Sequence, residues 1–388
     1  MPIYLDYAAT TPVDERVAER MAHCLTRDGV FGNPASRGHG FGLAAEHAVA
    51  VARQQVAHLV GARPEEIVWT SGATESNNLA LLGAAATTQR GRHLVTVASE
   101  HRAVLDICDH LEREGWEVTR LDPGADGLLD PDRVAAALRD DTALLSVMHV
   151  NNELGVVQPI AELSRLARER GVLCHVDAAQ GAGKLPINLA ELDVDLMSFS
   201  AHKVYGPKGV GALYVRGEPP VELAPQMFGG GQQGGMRPGT LATHQIVGMG
   251  EAFRIASQEM ASESVRLRAL SERLRAGLAR IDGVFFNGHA ERRVAGILNA
   301  GFSGLDGEGL LQTLPGIALS TGSACAVFGP SHVLRAIGRS DADALASVRF
   351  AVGRYTTEAE VDTLLERIEK SVAGLRAVKA RRHAEALS

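Results

Sequence analysis

The lysine at position 203 follows an apolar run, residues 196–200, and lies in a turn of small residues that continues to Gly209. A lysine held away from water in such a turn loses proton affinity. Its neutral amine can then form an imine with an aldehyde cofactor and move a proton at the attached carbon. A solvated surface lysine is the alternative interpretation. The adjacent segment 206–209, GPKG, lacks the GxxxxGK[ST] spacing of a nucleotide-binding loop.

An aspartate closes a second apolar run, Leu173–Asp177. In an open α/β sheet the carboxyl ends of the strands face the ligand crevice. A buried carboxylate at that edge needs a cation, and a protonated pyridine nitrogen would serve while keeping the ring an electron sink. A cap for the following helix is an equally good interpretation of Asp177.

Residues 70–78, TSGATESNN, follow a predicted strand and open a predicted helix. The first backbone N–H groups of a helix and its dipole favour an anion such as a phosphate. Ser71 and Thr74 add hydroxyl donors, and Gly72 permits close approach. A plain helix cap is the alternative, and for this segment alone it is the more common one.

Small residues and glycines surround Cys325 in the segment 319–330. An accessible loop would allow its thiolate to act as a nucleophile. The alternative is a buried cysteine that acts as a small apolar residue, which is also our interpretation of Cys24, Cys108 and Cys174. The four cysteines have no CxxC spacing, so we predict neither a disulfide framework nor a metal site.

The elements that must position these residues alternate, from about Val49, between apolar runs and helix-like patterns. This alternation predicts an α/β fold with a mainly parallel sheet, and runs that are apolar throughout predict burial on both faces. Helices are predicted between several strands, for example at Val134–Leu138 and Ile160–Glu169. The seven predicted strands are Ile67–Thr70, His93–Ser99, Trp116–Leu121, Ala143–Val150, Leu173–Asp177, Leu196–Ser200 and Gly211–Val215.

After Thr240 the pattern changes to a long helix, His244 to about Ile281, which we interpret as a bridge between two domains. We expect residues 14–258 to form the large cofactor-binding domain, and residues 1–13 with 259–388 to form a smaller α+β domain that carries Cys325. The tail from Lys379 is expected to fray. The elements predicted for the small domain are strands Ile297–Phe302, Ala318–Thr321 and Val348–Val352 and a helix from Thr357 to about Leu375.

Composition limits the class of protein. The chain has 388 residues, of which 45% are hydrophobic and 22% charged, and its net charge is -7 without long acidic runs. Such a balance is ordinary for a globular protein and argues against direct contact with nucleic acid. We recognise neither a signal peptide nor a stretch long enough to span a membrane, so we expect a cytoplasmic enzyme.

Seven motifs, in order along almost the whole chain, resemble those of the NifS/IscS-type cysteine desulfurases, a branch of the class V aminotransferase family. The resemblance implies the architecture of a fold-type-I PLP-dependent (pyridoxal 5'-phosphate) transferase and a homodimer. It also implies conversion of L-cysteine to L-alanine through a PLP aldimine, with the sulfur left as a persulfide on Cys325. The motifs are Tyr4–Pro12, Phe31–Ser36, Ser71–Asn78, Glu100–Val104, Met148–Gly155, His202–Gly209 and Gly322–Cys325.

The resemblance implies roles for individual residues. Lys203 would form the Schiff base and move the Cα proton, Cys325 would attack the substrate sulfur, and His101 would stack on the ring and act as acid and base. Asp177 would pair with the ring nitrogen and Gln180 with the 3-hydroxyl. The other implied cofactor contacts are Ala73, Thr74, Asn152, Ser200, His202 and Thr240, the last reaching the other subunit's phosphate. The implied substrate contacts are Asn33, Asn152 and Arg354, the last forking onto the carboxylate.

Two segments depart from the family pattern. Only residues 326–329 separate Cys325 from the helix that begins near Pro330, where the IscS-type branch usually has a longer segment. We therefore expect a shorter reach, so that the acceptor must approach the pocket or another protein must assist. Gln233 and Gly234 replace the usual Glu-Arg pair, which puts local cofactor or dimer contacts in doubt.

The implied sulfur acceptor is a protein, either a scaffold for iron–sulfur clusters, which Cys325 would contact only transiently, or a tRNA-thiolation enzyme. DNA phosphorothioation is the specialised alternative. Competing activities are a selenocysteine lyase, an aminotransferase or a β-lyase, with Cys325 incidental. A silent partner in sulfur transfer is a non-enzymatic alternative, and it predicts no yellow imine absorbance. Cys325→Ser separates the enzymes, because only a desulfurase needs the thiol.

Overall fold

The strands and helices are described for residues 2–322 and 329–387 of a computed structural model, so Cys325 lies outside the described residues. The strands are β1 (Ile3–Tyr4), β2 (Ile67–Thr70), β3 (His93–Val97), β4 (Glu117–Leu121), β5 (Thr142–Met148), β6 (Leu173–Asp177), β7 (Leu196–Ser200), β8 (Gly211–Val215), β9 (Val284–Asn287), β10 (Ile297–Phe302), β11 (Ile317–Ala318) and β12 (Ser347–Ala351). The α-helices are α1 (Glu15–Ala22), α2 (Gly40–Val60), α3 (Ala73–Thr87), α4 (Arg102–Arg113), α5 (Pro131–Ala137), α6 (Ile160–Glu169), α7 (Thr243–Leu278), α8 (Gly307–Gln312), α9 (His332–Ala336), α10 (Asp341–Leu345) and α11 (Glu358–Leu387).

A seven-stranded sheet has the spatial order β2-β8-β7-β6-β5-β3-β4. Strand β8 is antiparallel to both of its neighbours, and the remaining pairs are parallel. The predicted α/β class with a mainly parallel seven-stranded sheet is confirmed. The carboxyl ends of β5, β6 and β7 consequently share one edge, which is where a ligand binds in an open sheet.

Both faces of this sheet are buried. Ile67 and Trp69 belong to a core on one face, where α2 and α7 pack, whereas Val68 belongs to a core on the other face, with α3 and α4. Because successive side chains of a strand point to opposite faces, two apolar layers require the continuous apolar runs seen in the sequence.

The strand ends differ slightly from the prediction. Strand β3 ends at Val97 rather than Ser99, and β5 ends at Met148 rather than Val150. In both cases the backbone leaves the sheet before the apolar run is over. At the end of β5, the buried carboxylate of Glu100 accepts a hydrogen bond from the Met148 N–H at 2.5 Å. The hydrophobic pattern of a strand does not show which side chain of another segment will bond to its end, so this strand end could not be predicted.

A second core surrounds an antiparallel sheet of order β12-β10-β9, and β1 pairs with β11 in parallel. Helix α7 joins the two cores, because its residues 246–256 pack in the first and residues 270–278 in the second. The predicted bridging helix is thus observed within three residues of its expected end. The domain boundaries at 13/14 and 258/259 remain predictions.

The C-terminal tail corrects the sequence prediction. Helix α11 continues to Leu387 instead of ending near Leu375. Arg376 Nη2 donates to the Asp282 carbonyl at 2.7 Å, and Lys379 Nζ donates to the Gly304 carbonyl at 2.8 Å. These contacts tie the added turns to the small core, which a composition argument could not foresee. In the part of the chain that the structure describes, no helix is long and apolar enough to cross a membrane.

Candidate active site

A cavity of about 460 Å³ lies at the carboxyl edge of the seven-stranded sheet. Met148, Asp177 and Ser200, the last residues of β5, β6 and β7, line it together with the first turn of α3. The sequence-predicted residues on its wall are Ala73, Thr74, His101, Asn152, Asp177, Gln180, Ser200, His202 and Lys203. The fold therefore brings segments from five parts of the chain to one site.

Lys203 lies in the short turn that follows β7, with its side chain on the cavity wall. Its Nζ donates hydrogen bonds to the carbonyl oxygens of Ala8 and Ala9, at 2.8 and 2.7 Å. The N-terminal segment runs beside this turn, because the Thr11 N–H and hydroxyl both donate to the His202 carbonyl. The lysine is thus part of the site and not a solvated surface residue.

Asp177 is buried at the end of β6 and its carboxylate is fixed on both oxygens. Oδ1 accepts from the Ala179 N–H at 3.0 Å, and Oδ2 accepts from Asn77 Nδ2 at 2.8 Å. Asn77 is itself fully buried on α3. The carboxylate of Asp177 therefore lies against the first two turns of α3, in reach of a cation held in the cavity.

One end of the cavity is suited to a phosphate. Helix α3 begins at Ala73 with its first backbone N–H groups at the cavity, and Thr74 supplies a hydroxyl there. A methyl group at Gly211 would lie 2.6 Å from Gly72 Cα, so strand β8 can support this turn only because residue 211 is a glycine. Lys208 adds positive charge to the same wall.

Two histidines of the site are held by short contacts. The Nδ1 of His202 lies 3.0 Å from Thr10 Oγ1, and burial, followed by the charge of Lys203, lowers the pKa of His202 to about 4. The Nδ1 of His101 accepts the Ala103 N–H at the start of α4, so the proton of its neutral ring is carried on Nε2. Burial also lowers the pKa of His101, and the charge of Asp177 opposes that shift.

The remaining polar groups on the wall include buried atoms that lack a hydrogen-bond partner in the described parts of the chain. Gln180 Nε2 donates to the Ala8 carbonyl at 2.8 Å. Asn152 Oδ1, Asn77 Oδ1 and Arg349 Nε are buried and have no hydrogen-bond partner among the described residues. Buried polar atoms are rarely left without a partner, so these atoms indicate a polar ligand in this cavity.

Arg354 is not on this cavity wall, which corrects the expectation that it binds a substrate carboxylate there. Its guanidinium is bound by Asp14 at 2.6 Å and by both oxygens of Glu263 at 3.1 Å, and it lies 4.1 Å from the Tyr205 ring centroid. The arginine that does line the cavity is Arg349, from strand β12. Arg349 Nη2 donates to Asp6 at 2.8 Å and Nη1 to the Asn152 carbonyl at 3.0 Å.

Two further predicted residues lie away from the cavity wall. Asn33 is exposed, and its side-chain oxygen accepts the Ala35 N–H. Thr240 is exposed as well, and its predicted contact with another subunit remains a prediction. The helix after Cys325 begins at His332, with Ser331 as its cap.

The loop that carries the unusual Gln233 is bound to the edge strand β2. The Gln233 carboxamide pairs with both backbone groups of Trp69, accepting from its N–H at 2.5 Å and donating to its carbonyl at 2.8 Å. Arg237, on the same loop, forms an ion pair with Glu75 at 2.7 Å. Gln233 thus bonds to β2 as a neighbouring strand would, and the effect of the replaced Glu-Arg pair on cofactor or dimer contacts stays a prediction.

Asn77 and Arg349 line the cavity but were not predicted as site residues from the sequence. Arg349 is 1% exposed between Val348 and Phe350, which are fully buried. A lone arginine in an apolar strand was the available signal. For Asn77 the signal was weaker, since an asparagine in the second turn of a helix has many ordinary interpretations.

Comparison with known proteins decides the family. Residues 3–364 match the family described as Aminotransferase class-V. The chain belongs to the class-V aminotransferase family. Of the members of this family, the protein named cysteine desulfurase IscS from Photorhabdus laumondii is 59% identical over 379 residues, covering 97% of this chain and 94% of that protein.

Two solved structures support the same placement within the class-V aminotransferase family. A NifS-like protein has a TM-score of 0.90 and 36% identity, covering 96% of this chain and 100% of its own. The structure described as SspA in complex with cysteine has a TM-score of 0.80 and 38% identity, covering 92% of this chain and 100% of its own. The architecture predicted from the sequence is therefore confirmed at the level of the family.

Proposed function

We propose that this chain is a PLP-dependent cysteine desulfurase, which converts L-cysteine to L-alanine and leaves the sulfur as a persulfide on Cys325. The observation that carries the proposal is that Lys203 and Asp177 line one cavity of about 460 Å³, next to the first turn of α3. The similarity to proteins named cysteine desulfurase, and to a structure with bound cysteine, supports the choice of substrate.

The residues of the cavity fit pyridoxal phosphate. The first turn of α3, with Thr74, Ser200 and His202, would hold the phosphate, because helix N-terminal N–H groups and hydroxyls bind anions. Asp177 would hold a protonated ring nitrogen, and Gln180 would donate to the ring oxygen. Asn152 Oδ1, which has no hydrogen-bond partner among the described residues, would supply a further polar contact in the same space.

When bound, the cofactor supplies an aldehyde for the substrate amine and a ring that withdraws electrons from the substrate Cα. Asp177 keeps that ring cationic, since a buried carboxylate favours the charged form of its partner. Lys203 removes the Cα proton at Nζ and later returns a proton to the carbon skeleton. The Ala8 and Ala9 carbonyls, at 2.8 and 2.7 Å, hold this amine in place between these steps.

Arg349 is proposed as the group that binds the substrate carboxylate. It lines the cavity and its Nε has no partner among the described residues, whereas Nη1 and Nη2 are positioned by Asn152 and Asp6. A guanidinium held in this way can bind a carboxylate in a fixed direction. This contact would fix the orientation of the bound substrate in the cavity.

The sulfur transfer is proposed to proceed by attack of the Cys325 thiolate on the substrate sulfur. One S–S bond forms and the substrate C–S bond breaks, with its electron pair left on the carbon skeleton, which takes a proton to become alanine. His101 accepts the Ala103 N–H at Nδ1, so its Nε2 would exchange the substrate thiol proton. The net change is one cysteine and one enzyme thiol converted to alanine and one persulfide.

The other three thiols are poor candidates for this step. Cys24, Cys108 and Cys174 are all buried. Burial raises the pKa of Cys108 to about 12 and also raises the pKa of Cys24 and Cys174, so these thiols stay protonated at neutral pH. Since the thiolate is the nucleophile, the chemistry falls to Cys325.

We further propose that the chain acts as a homodimer that delivers sulfur to a thiol of an acceptor protein. Phe31 and Phe41 are 49% and 60% exposed, and their rings lie 5.3 Å apart. An exposed aromatic pair of this kind is typical of a protein contact surface. Light scattering on the purified chain tests the dimer, and a monomer at micromolar concentration would contradict it.

The activity is tested by incubating the purified chain, loaded with pyridoxal phosphate, with L-cysteine and a reductant. We expect equal amounts of alanine and sulfide from the unaltered chain and from Lys370→Ala, at an exposed lysine, but neither product from Lys203→Ala. Pyruvate or amino-group transfer in place of alanine would identify a β-lyase or an aminotransferase instead. Absence of bound cofactor absorbance would support the silent partner.

A further inference from the structure

Lys184 is a second lysine beside Lys203 that no step of the proposed reaction uses. It lies in the turn that follows β6 and lines a small cavity of about 40 Å³. Lys203 and Ala8 line both this small cavity and the main one. Lys184 and Lys203 therefore share the wall of the small cavity, and Lys203 also reaches the main one.

The two lysines are joined by one chain of hydrogen bonds. Lys184 Nζ donates to Gln180 Oε1, and Gln180 Nε2 donates to the Ala8 carbonyl at 2.8 Å. The same Ala8 carbonyl accepts from Lys203 Nζ, also at 2.8 Å. The turn can approach this closely because residue 183 is a glycine with a φ of +70°, and a methyl group on it would lie 2.4 Å from Val204 Cγ1.

This chain of contacts fixes the direction of the Gln180 carboxamide. A carbonyl can only accept and an ammonium can only donate, so Gln180 must turn Oε1 to Lys184 and Nε2 to Ala8. Nε2 has a second N–H, and Gln180 lines the main cavity. That N–H is available to a ligand oxygen there.

The charges around Lys184 come from several elements. Burial, followed by the charges of Lys203 and Arg349, lowers the pKa of Lys184 to about 7, and Glu263 opposes that shift. The repulsion is mutual, so a charge on Lys184 favours the neutral amine of Lys203. The other ionisable side chains on the small cavity are Tyr7, Tyr205 and Arg354.

We propose that Lys184 is a positioning residue, which fixes Gln180 with an N–H toward the ring oxygen of the cofactor and favours the neutral amine of Lys203 by its charge. The inference rests on the proposed function for the identity of the cofactor. It assigns no bond to substrate or cofactor for Lys184 itself.

The test compares Lys184→Met, which is similar in length but uncharged, with Lys184→Arg and with the exposed control Lys370→Met. In the cofactor-loaded chain we expect Lys184→Met to raise the Kd of pyridoxal phosphate about tenfold, because one charged hydrogen-bond network is lost. We also expect the pH at which the cofactor absorbance changes to rise by about one unit. Lys184→Arg should restore both values, and Lys370→Met should leave them unchanged.

A second measurement keeps the inference testable without the cofactor. In the cofactor-free full chain, labelling of Lys203 by an amine reagent at pH 6, where Lys184 is still charged, should fall by up to about tenfold in Lys184→Met, as read by peptide mass spectrometry. If Lys184→Met does not fold, Lys184→Gln is used and the same fall is expected. Unchanged labelling, Kd and absorbance profile would overturn the role of Lys184. Failure of the unaltered chain to bind the cofactor would overturn the proposed function, while the labelling result would still decide on Lys184.

Discussion

Arg349 Nη2 lies 2.8 Å from Asp6 Oδ1, and this ion pair joins strand β12 to the N-terminal segment beside the main cavity. The Ala8 and Ala9 carbonyls of the same segment hold the Lys203 amine. Residues from both ends of the chain thus fix the cation proposed for the substrate carboxylate and the amine proposed for proton transfer.

Replacing Arg349 should weaken substrate binding. Arg349→Lys keeps the positive charge but loses the paired N–H donors of the guanidinium. We expect the KM for L-cysteine to rise about 10- to 100-fold, the range for one charged hydrogen bond. The matched change Arg354→Lys should lower the melting temperature, because it breaks the bonds to Asp14 and Glu263, but should leave KM within about twofold. Steady-state kinetics and thermal unfolding measure both. A large KM increase in Arg354→Lys alone would contradict the placement.

Replacing Asp177 should slow the chemistry without emptying the site. Asp177→Asn keeps a side-chain oxygen for the Ala179 N–H but removes the negative charge that holds the ring cationic. We expect alanine formation to fall by about 100-fold or more, as for loss of one preorganised electrostatic group. Cofactor absorbance measured on the same sample controls for binding, and Asp193→Asn controls for loss of an acid outside the cavity. Full activity with bound cofactor would refute the role.

Stability should fall as the pH is lowered from about 6.5 toward 4. The His175 ring is buried between Ser146 and Ser198 hydroxyls, at 2.9 and 3.0 Å, and burial lowers its pKa to about 4. In this pH range the unfolded chain binds a proton that the folded chain does not. The free energy of unfolding therefore falls by up to about 1.4 kcal/mol for each unit by which the pH is lowered. Denaturant unfolding at pH 7, 6 and 5 gives the free energy of unfolding at each pH. We expect this free energy to change less steeply with pH in His175→Gln than in the unaltered chain. An identical slope for His175→Gln and for the exposed control His110→Gln would contradict this prediction.

The edge-strand contact of Gln233 gives a prediction with a control in the same loop. In Gln233→Glu the side chain cannot donate to the Trp69 carbonyl, so we expect the free energy of unfolding to fall by about 1–2 kcal/mol. Gln232→Glu should have little effect, because Gln232 Oε1 only accepts the Gly239 N–H. Equal stability of the two variants would show that the contact with Trp69 contributes nothing.

Much of this arrangement could be predicted from the sequence. Asp177 closes an apolar strand and Lys203 follows the next one. Because the carboxyl ends of parallel strands meet at one edge of the sheet, the hydrophobic pattern alone was enough to predict that Asp177 and Lys203 lie close together. Arg349 and Arg354 could not be distinguished in this way. Which of two nearby arginines faces the cavity depends on partners brought by other segments, such as Asp6, Asp14 and Glu263, and these are not visible in the local sequence.

We propose that Cys325 receives the sulfur of L-cysteine at the site that holds Lys203. The most direct measurement is the mass of the Cys325 peptide after anaerobic incubation of the cofactor-loaded chain with L-cysteine and no reductant. We expect the mass of one added sulfur on that peptide, which later reduction should remove and which should be absent in Lys203→Ala. An unmodified Cys325 peptide in a sample that has released alanine would contradict it.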